Sequence, residues 1–131
     1  MTGKRELPVA LVADDDSVIR RLLTMLLERQ GFRVLVAADG EEALAQAEAG
    51  QPRVVFLDAR MPAPDGYEVC RLLRAQGLVQ PEPLVIMLTA AGQESDRRKA
   101  ASVGVNEFLT KPFSPSQLAA RLQELSSEVT T

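Results

Sequence analysis

Short apolar runs, each closed by a polar residue at its C-terminal end, recur along this chain and constrain its fold more than any other feature. Pro8–Ala13 is followed by Asp14-Asp15, Val54–Leu57 by Asp58, Leu84–Leu88 by Thr89, and Val105–Leu109 by Thr110-Lys111. A continuous apolar run of this length suits a strand covered on both faces, as in a parallel sheet. Phe32–Ala37, rich in β-branched residues, supplies one more strand. Helical spacing occupies the segments between: Val18–Gln30, Glu41–Ala49, Tyr67–Gln76, Glu94–Val103 and Pro115–Leu125. Gly31 sits where a helix C-cap belongs, Gly50 and Pro52 stop the second helix, and Pro62, Pro64 and Gly66 mark a loop. Ser114, Pro115 and Gln117 form a helix start of the capping-box type. Strands alternating with helices imply an α/β fold, a parallel sheet with helices on both sides. The polar run ends then meet at one sheet edge, where ligands of such folds bind.

What is missing narrows the chemistry. Among 131 residues there is no histidine, which removes Ser-His and Cys-His catalysis, histidine metal sites and a phosphohistidine carrier. The single cysteine, Cys70, has no partner for an internal disulfide and reads as a small buried hydrophobe. A metal here must therefore take oxygen ligands, which points to a hard cation such as Mg²⁺. Apolar residues are 46 % of the chain, enough for one core, and the expectation is a single domain with its core at about 8–125. Residues 1–6 and 126–131 read as tails or linker. The net charge of −3 and the lack of a basic stripe argue against direct contact with nucleic acid or an anionic membrane. No apolar run is long enough to span a bilayer and no apolar signal region opens the chain, so a cytoplasmic protein is expected. With no effector domain after Leu125, a stand-alone protein and a domain of a longer one both remain open.

Taken singly, the polar run ends have ordinary explanations. Asp14 or Asp15 could cap the helix that follows, Thr89 could terminate a strand, and Lys111 could be a solvated lysine. Two consecutive acids exceed what a cap needs, however, and Asp16-Ser17 remain for that task. Adjacent carboxylates repel unless a cation neutralises them. Asp58 ends a run buried on both faces, where an unpaired carboxylate is expensive. Three acids, a hydroxyl and an amine at one edge make a site for a divalent cation and a phosphoryl group.

The stretches Leu11-Val12-Ala13-Asp14-Asp15-Asp16-Ser17, Val54–Pro62 with Asp65-Gly66, Leu88-Thr89-Ala90 and Lys111-Pro112-Phe113 together resemble the receiver domain of two-component response regulators. The resemblance runs from about Pro8 to Leu125. It implies a flavodoxin-like (βα)5 fold, doubly wound, with strand order 2-1-3-4-5, as in chemotaxis-type regulators. It also implies roles. Asp58 would be the phosphoacceptor, charged by a sensor histidine kinase or a histidine phosphotransfer protein. Asp14, Asp15, Asp58 and the backbone carbonyl of Arg60 would hold Mg²⁺, with Asp14 acting directly or through water. Lys111 and Thr89 would each engage a phosphoryl oxygen. Thr89 and Phe108 would form the switch, Phe108 standing where many relatives carry tyrosine. The readout surface for an effector, a fused output domain or a homodimer would be helix Glu94–Val103, strand Val105–Leu109 and helix Pro115–Leu125. Arg60 and Ala91 lie where the family tunes phosphoryl lifetime, and Lys111-Pro112 resembles a peptide that is cis in relatives. The chain would then be no turnover enzyme, only a self-catalysed phosphotransfer and autodephosphorylation module.

Asp14-x-Asp16-x-Val18 also resembles the opening motif of haloacid-dehalogenase-type phosphatases, with Asp14 as nucleophile and Asp16 as acid/base. That alternative lacks a fourth motif, because the only acids after Lys111 are Glu124 and Glu128. It also leaves Asp58 without a role. An FMN-binding flavodoxin would need a phosphate-cradling first loop, and this loop is triply acidic.

Overall fold

Alternation along the strands sorts the side chains into two cores, one on each face of a single sheet. The computed structural model describes residues 7–90 and 94–130. Its elements are β1 (Val9–Ala13), α1 (Ser17–Arg29), β2 (Arg33–Ala37), α2 (Gly40–Gly50), β3 (Val54–Asp58), α3 (Gly66–Ala75), β4 (Leu84–Ala90), α4 (Glu94–Val103), β5 (Glu107–Lys111) and α5 (Pro115–Thr130). All strand pairs are parallel and the order is β2-β1-β3-β4-β5, as the resemblance implied. Ala10 and Val12 of β1, with Phe56, Ile86 and Leu88, pack against Leu23 and Leu27 of α1 and Leu118, Leu122 and Leu125 of α5. Their strand neighbours Leu11, Ala13, Val55, Leu57, Val85 and Met87 point the other way. They meet Ala43 and Ala47 of α2, Val69, Cys70 and Leu73 of α3, and Val103 of α4. Every residue of β3 is buried, as a central strand covered on both faces requires.

The helix starts follow from local chemistry. Asp16 is the N-cap of α1, accepting from the Val18 N–H at 2.8 Å, the task the sequence reserved for it. Asp39 and Asp65 cap α2 and α3 by accepting from the N–H groups of Glu42 and Glu68. Glu42 returns the bond to the Ala38 N–H, extending the cap by one more satisfied donor. Ser114 lies just before α5, its carbonyl accepting from the Leu118 N–H and its hydroxyl 3.3 Å from that of Ser116.

Most boundaries fall within a residue or so of those expected, and the following shifts have a tertiary reason. β5 begins two residues later, at Glu107, because Asn106 is tied to Val85 twice: its N–H donates to the Val85 carbonyl and its side-chain oxygen accepts from the Val85 N–H. The β4·β5 ladder then continues through Thr89↔Thr110 and Ala90↔Lys111, so Thr89 and Lys111 stand inside strand ends, not after them. α2 includes Gly50, and the left-handed residue is Gln51 at φ 50. Gln51 holds that conformation with side-chain bonds to Glu48 O, Leu78 O and the Gln80 N–H. α5 runs on to Thr130 where a tail was expected, and the Ser126 hydroxyl donates to the Gln30 carbonyl at the end of α1. No described helix is long and apolar enough to cross a membrane.

Candidate functional site

The site lies at the C-terminal edge of the sheet, where β2 and β3 diverge on either side of β1 and the strand order reverses. Asp14 follows β1 directly, its N–H bonded to the Ala37 carbonyl of β2. Asp58 closes β3 opposite Leu88, and the next N–H, of Ala59, donates to the Leu88 carbonyl. Two carboxylates from neighbouring strands are therefore set side by side by the ladder itself.

Asp14, Asp15 and Asp58 each offer a carboxylate oxygen, all within 4.8 Å of one another. Asp14 is 0 % exposed, Asp58 6 %, and Asp15 is at the surface. Lys111 reaches over both buried acids from the end of β5, its Nζ 2.8 Å from Asp14 Oδ2 and 3.5 Å from Asp58 Oδ2. Asp14 Oδ1 accepts from the Asp16 N–H at 2.9 Å. Asp14 Oδ2 has the ion pair but no properly directed hydrogen-bond donor, although it is buried. Asp58 Oδ1 accepts from the Arg60 N–H at 3.1 Å. The resemblance assigns the Arg60 carbonyl to the metal; the Arg60 N–H ties the β3–α3 loop to Asp58.

Electrostatics show how poorly these charges suit one another. Burial pushes the Asp58 carboxyl up, the Arg60 N–H opposes this, the neighbouring Asp14 adds to it and Lys111 again opposes; the outcome is a rise from 3.8 to about 6. Burial would lower the Lys111 amine, but its contacts with Asp14 and Asp58 prevail and hold it above its ordinary value. One ammonium thus serves two carboxylates, with a third acid beside them. Three converging carboxylates with a single ammonium between them, an all-oxygen donor set, fit a hard divalent cation.

Thr89, near the end of β4, is 7 % exposed, and its hydroxyl donates to the Ala90 carbonyl at 3.0 Å. Phe108 pairs with Met87 across the β4·β5 ladder and packs, partly buried, against the α2–α3–α4 core. The Lys111–Pro112 peptide is cis. Ala91 lies outside the described residues. Gly66 opens α3 so close to the site that a Cβ there would stand 2.2 Å from the Asp58 carbonyl oxygen. Gly40 plays the same part for the β3–α3 loop, a Cβ on it falling 1.9 Å from the Pro64 carbonyl oxygen. Sequence reasoning missed Arg20, whose Nη1 donates to the Asp14 carbonyl at 2.7 Å. It also missed Arg74, which binds Pro83 O, Gly104 O and Asn106 Oδ1 at the opposite sheet edge.

The phosphatase alternative is not supported. Asp16, its acid/base, is engaged in capping α1, and both oxygens of its nucleophile Asp14 are held, one by the Asp16 N–H and one by Lys111.

Comparison with known proteins points one way. The family model for the response regulator receiver domain matches residues 10–123. The alkaline phosphatase synthesis transcriptional regulatory protein PhoP of Bacillus subtilis is 44 % identical over 115 residues, covering 88 % of this chain and 47 % of that protein. The chain spans about half the length of the curated relatives it matches. Among solved structures, chemotaxis protein CheY4 of Vibrio cholerae superposes with a TM-score of 0.81 at 32 % identity, over 91 % of this chain and 98 % of that one. The receiver domain of sensor histidine kinase PA1611 from Pseudomonas aeruginosa gives 0.78 at 31 % identity, over 93 % and 99 %, and has a magnesium ion coordinated in its active-site cleft.

Proposed function

The chain belongs to the response regulator receiver-domain family, a phospho-accepting signalling switch, and from that premise we propose that Asp58 is its phosphoacceptor. The observation that carries this is the convergence of the Asp14, Asp15 and Asp58 carboxylates beneath the Lys111 amine. Asp58 is the buried acid that closes β3, with one oxygen steadied by the Arg60 N–H and the other turned toward Lys111.

In this reading a carboxylate oxygen of Asp58 attacks the phosphorus of a phosphohistidine on a sensor kinase or phosphotransfer protein. The P–N bond breaks, the electron pair and a proton end on the imidazole, and an acyl phosphate remains on Asp58. Asp15, Asp58 and the Arg60 carbonyl, with Asp14 directly or through water, would hold Mg²⁺, which would supply charge neutralisation for the phosphoryl oxygens. Lys111 leaves Asp58 to pair with a phosphoryl oxygen, and the Thr89 hydroxyl exchanges the Ala90 carbonyl for another. Such transfer demands alignment and electrostatics more than covalent assistance. The domain is no turnover enzyme; its chemistry is phosphotransfer to itself and autodephosphorylation. Thr89 and Phe108 transmit the event to the α4–β5–α5 face, where a fused output domain, a separate effector or a second copy engages. It works in the cytoplasm, without direct contact to nucleic acid or membrane.

Acetyl phosphate with Mg²⁺ tests the reading. Label is expected on Asp58 alone and absent from Asp58→Asn; label persisting on Asp14 would refute the assignment.

A further inference from the structure

We infer that Arg20, on the first turn of α1, is a positioning residue for the acidic cluster, acting through the Asp14 carbonyl; this rests on the proposed cation site. Arg20 Nη1 donates to the Asp14 carbonyl oxygen at 2.7 Å, a charge-assisted bond to a backbone group inside the site. That carbonyl belongs to the peptide unit whose nitrogen is that of Asp15. The unit is planar, so holding its oxygen fixes its plane and with it the direction in which Asp15 leaves the chain. Asp15 is the exposed member of the cluster, so packing does little to aim it.

The other polar atoms of Asp14 are already assigned. Its N–H bonds the Ala37 carbonyl, Oδ1 accepts from the Asp16 N–H, and Oδ2 pairs with Lys111. Arg20 completes the set from the helix side. Its own N–H donates to the Asp16 carbonyl, so the first turn of α1 and the Asp14–Asp16 segment brace one another. The guanidinium spends its bond on a carbonyl and leaves carboxylate oxygens to the cation.

Charge and position make opposite forecasts, which makes the role testable. A positive side chain next to the cluster repels Mg²⁺, so electrostatics alone has Arg20→Gln bind the ion more tightly. A positioning role has it bind more weakly, about ten-fold, the lower end of what losing a partner that orients a metal ligand costs. Mg²⁺ alone is titrated into the chain and into Arg20→Gln and Arg20→Lys, followed by backbone amide NMR shifts with no phosphodonor present. Arg20→Lys keeps the charge and one donor but not the planar fork, and is expected to lie between, roughly three-fold weaker than the parent chain. Equal or tighter binding by Arg20→Gln overturns the inference. Should that variant not fold, parent-like affinity in Arg20→Lys overturns it, and weakened affinity supports it. The parent chain separates the two readings: if it binds no Mg²⁺ the cation site itself fails, whereas if it binds and the variants match it, only the role of Arg20 fails.

Discussion

Replacing Asp58, the proposed phosphoacceptor, by its neutral isostere should stabilise the metal-free fold. In Asp58→Asn the side-chain oxygen still accepts from the Arg60 N–H, so the loop contact survives while the charge goes. Burial and Asp14 raise the Asp58 carboxyl from 3.8 to about 6, which means the folded state disfavours its ionised form. Between those two values the unfolded chain has lost the proton and the folded chain still holds it. Stability of the parent chain therefore falls as pH rises through that window and is level above it. A difference of roughly two pH units corresponds to about 3 kcal/mol at 1.36 kcal/mol per unit. Asp15 is exposed and Lys111 partly so, and solvent screening from that side reduces the gain to about 1–2 kcal/mol. For a chain of this size that is a melting-temperature rise of roughly 3–10 °C.

Thermal melts at pH 7.5 and pH 4.5, in chelator and at fixed salt, measure it. Asp58→Asn is expected to melt higher at pH 7.5, and the gap should shrink at pH 4.5, where the folded parent chain keeps the Asp58 carboxyl protonated and most of the charge penalty is gone. A variant that melts lower at pH 7.5, or a gap independent of pH, would refute the reasoning that Asp58 is held ionised at a cost.

Mg²⁺ should raise the melting temperature of the parent chain, by the equivalent of about 2.7 kcal/mol at one hundred times its dissociation constant, and raise that of Asp58→Asn less; a calorimetric titration series checks both. Lys111→Met leaves the buried Asp14 without its cation and should cost about 1–3 kcal/mol in chelator, with part recovered when Mg²⁺ is added; urea unfolding with and without the ion reads this directly. Gly66→Ala drives a methyl against the Asp58 carbonyl and should cost about 1–3 kcal/mol while slowing label uptake from acetyl phosphate. Glu107→Gln removes the charge that Arg121 grips from α5, and a loss of about 1 kcal/mol in urea unfolding is expected, smaller at high salt.

Much of this molecule was legible before any coordinates, and the parts that were not share a cause. The apolar runs located all the strands because a central parallel strand must be apolar on both faces, a local property. The start of β5 was misplaced because a strand begins where its partner's ladder begins. Asn106 is bonded to Val85 by a side chain, and nothing in Val105-Asn106-Glu107 announces that. α2 is stopped at Gln51 and not at Gly50 because residues 78 and 80, far along the chain, hold the Gln51 amide. The starts of α2 and α3 were available in principle: Asp39-x-x-Glu42 and Asp65-x-x-Glu68 carry an acid cap with a glutamate three residues on. The acids and Lys111 were found by their placement at run ends. Arg20 was not, since an arginine on a helix face looks solvated until its acceptor is known. The switch role proposed for Phe108 rests on the family resemblance alone.

The site is least stable where the sheet is most so, and the two facts belong together. Phe56, Leu57, Met87 and Leu88 are fully buried, and the β3·β4 ladder runs to Asp58 itself, so the carboxylate has no room to withdraw into solvent. A surface acid crowded by another would turn away and relax; Asp58 is fixed to the neighbour that raises its proton affinity. The repulsion between Asp14 and Asp58 is thus maintained by hydrophobic burial of the strands that carry them, and one ammonium shared at 2.8 and 3.5 Å relieves it only in part. A cation would complete the neutralisation, and an arriving phosphoryl group would then find Lys111 free to move onto it. Substitutions that loosen the ends of β1 or β3 should therefore weaken Mg²⁺ binding while easing the apo strain, a pairing of effects that a purely structural role for these acids would not produce.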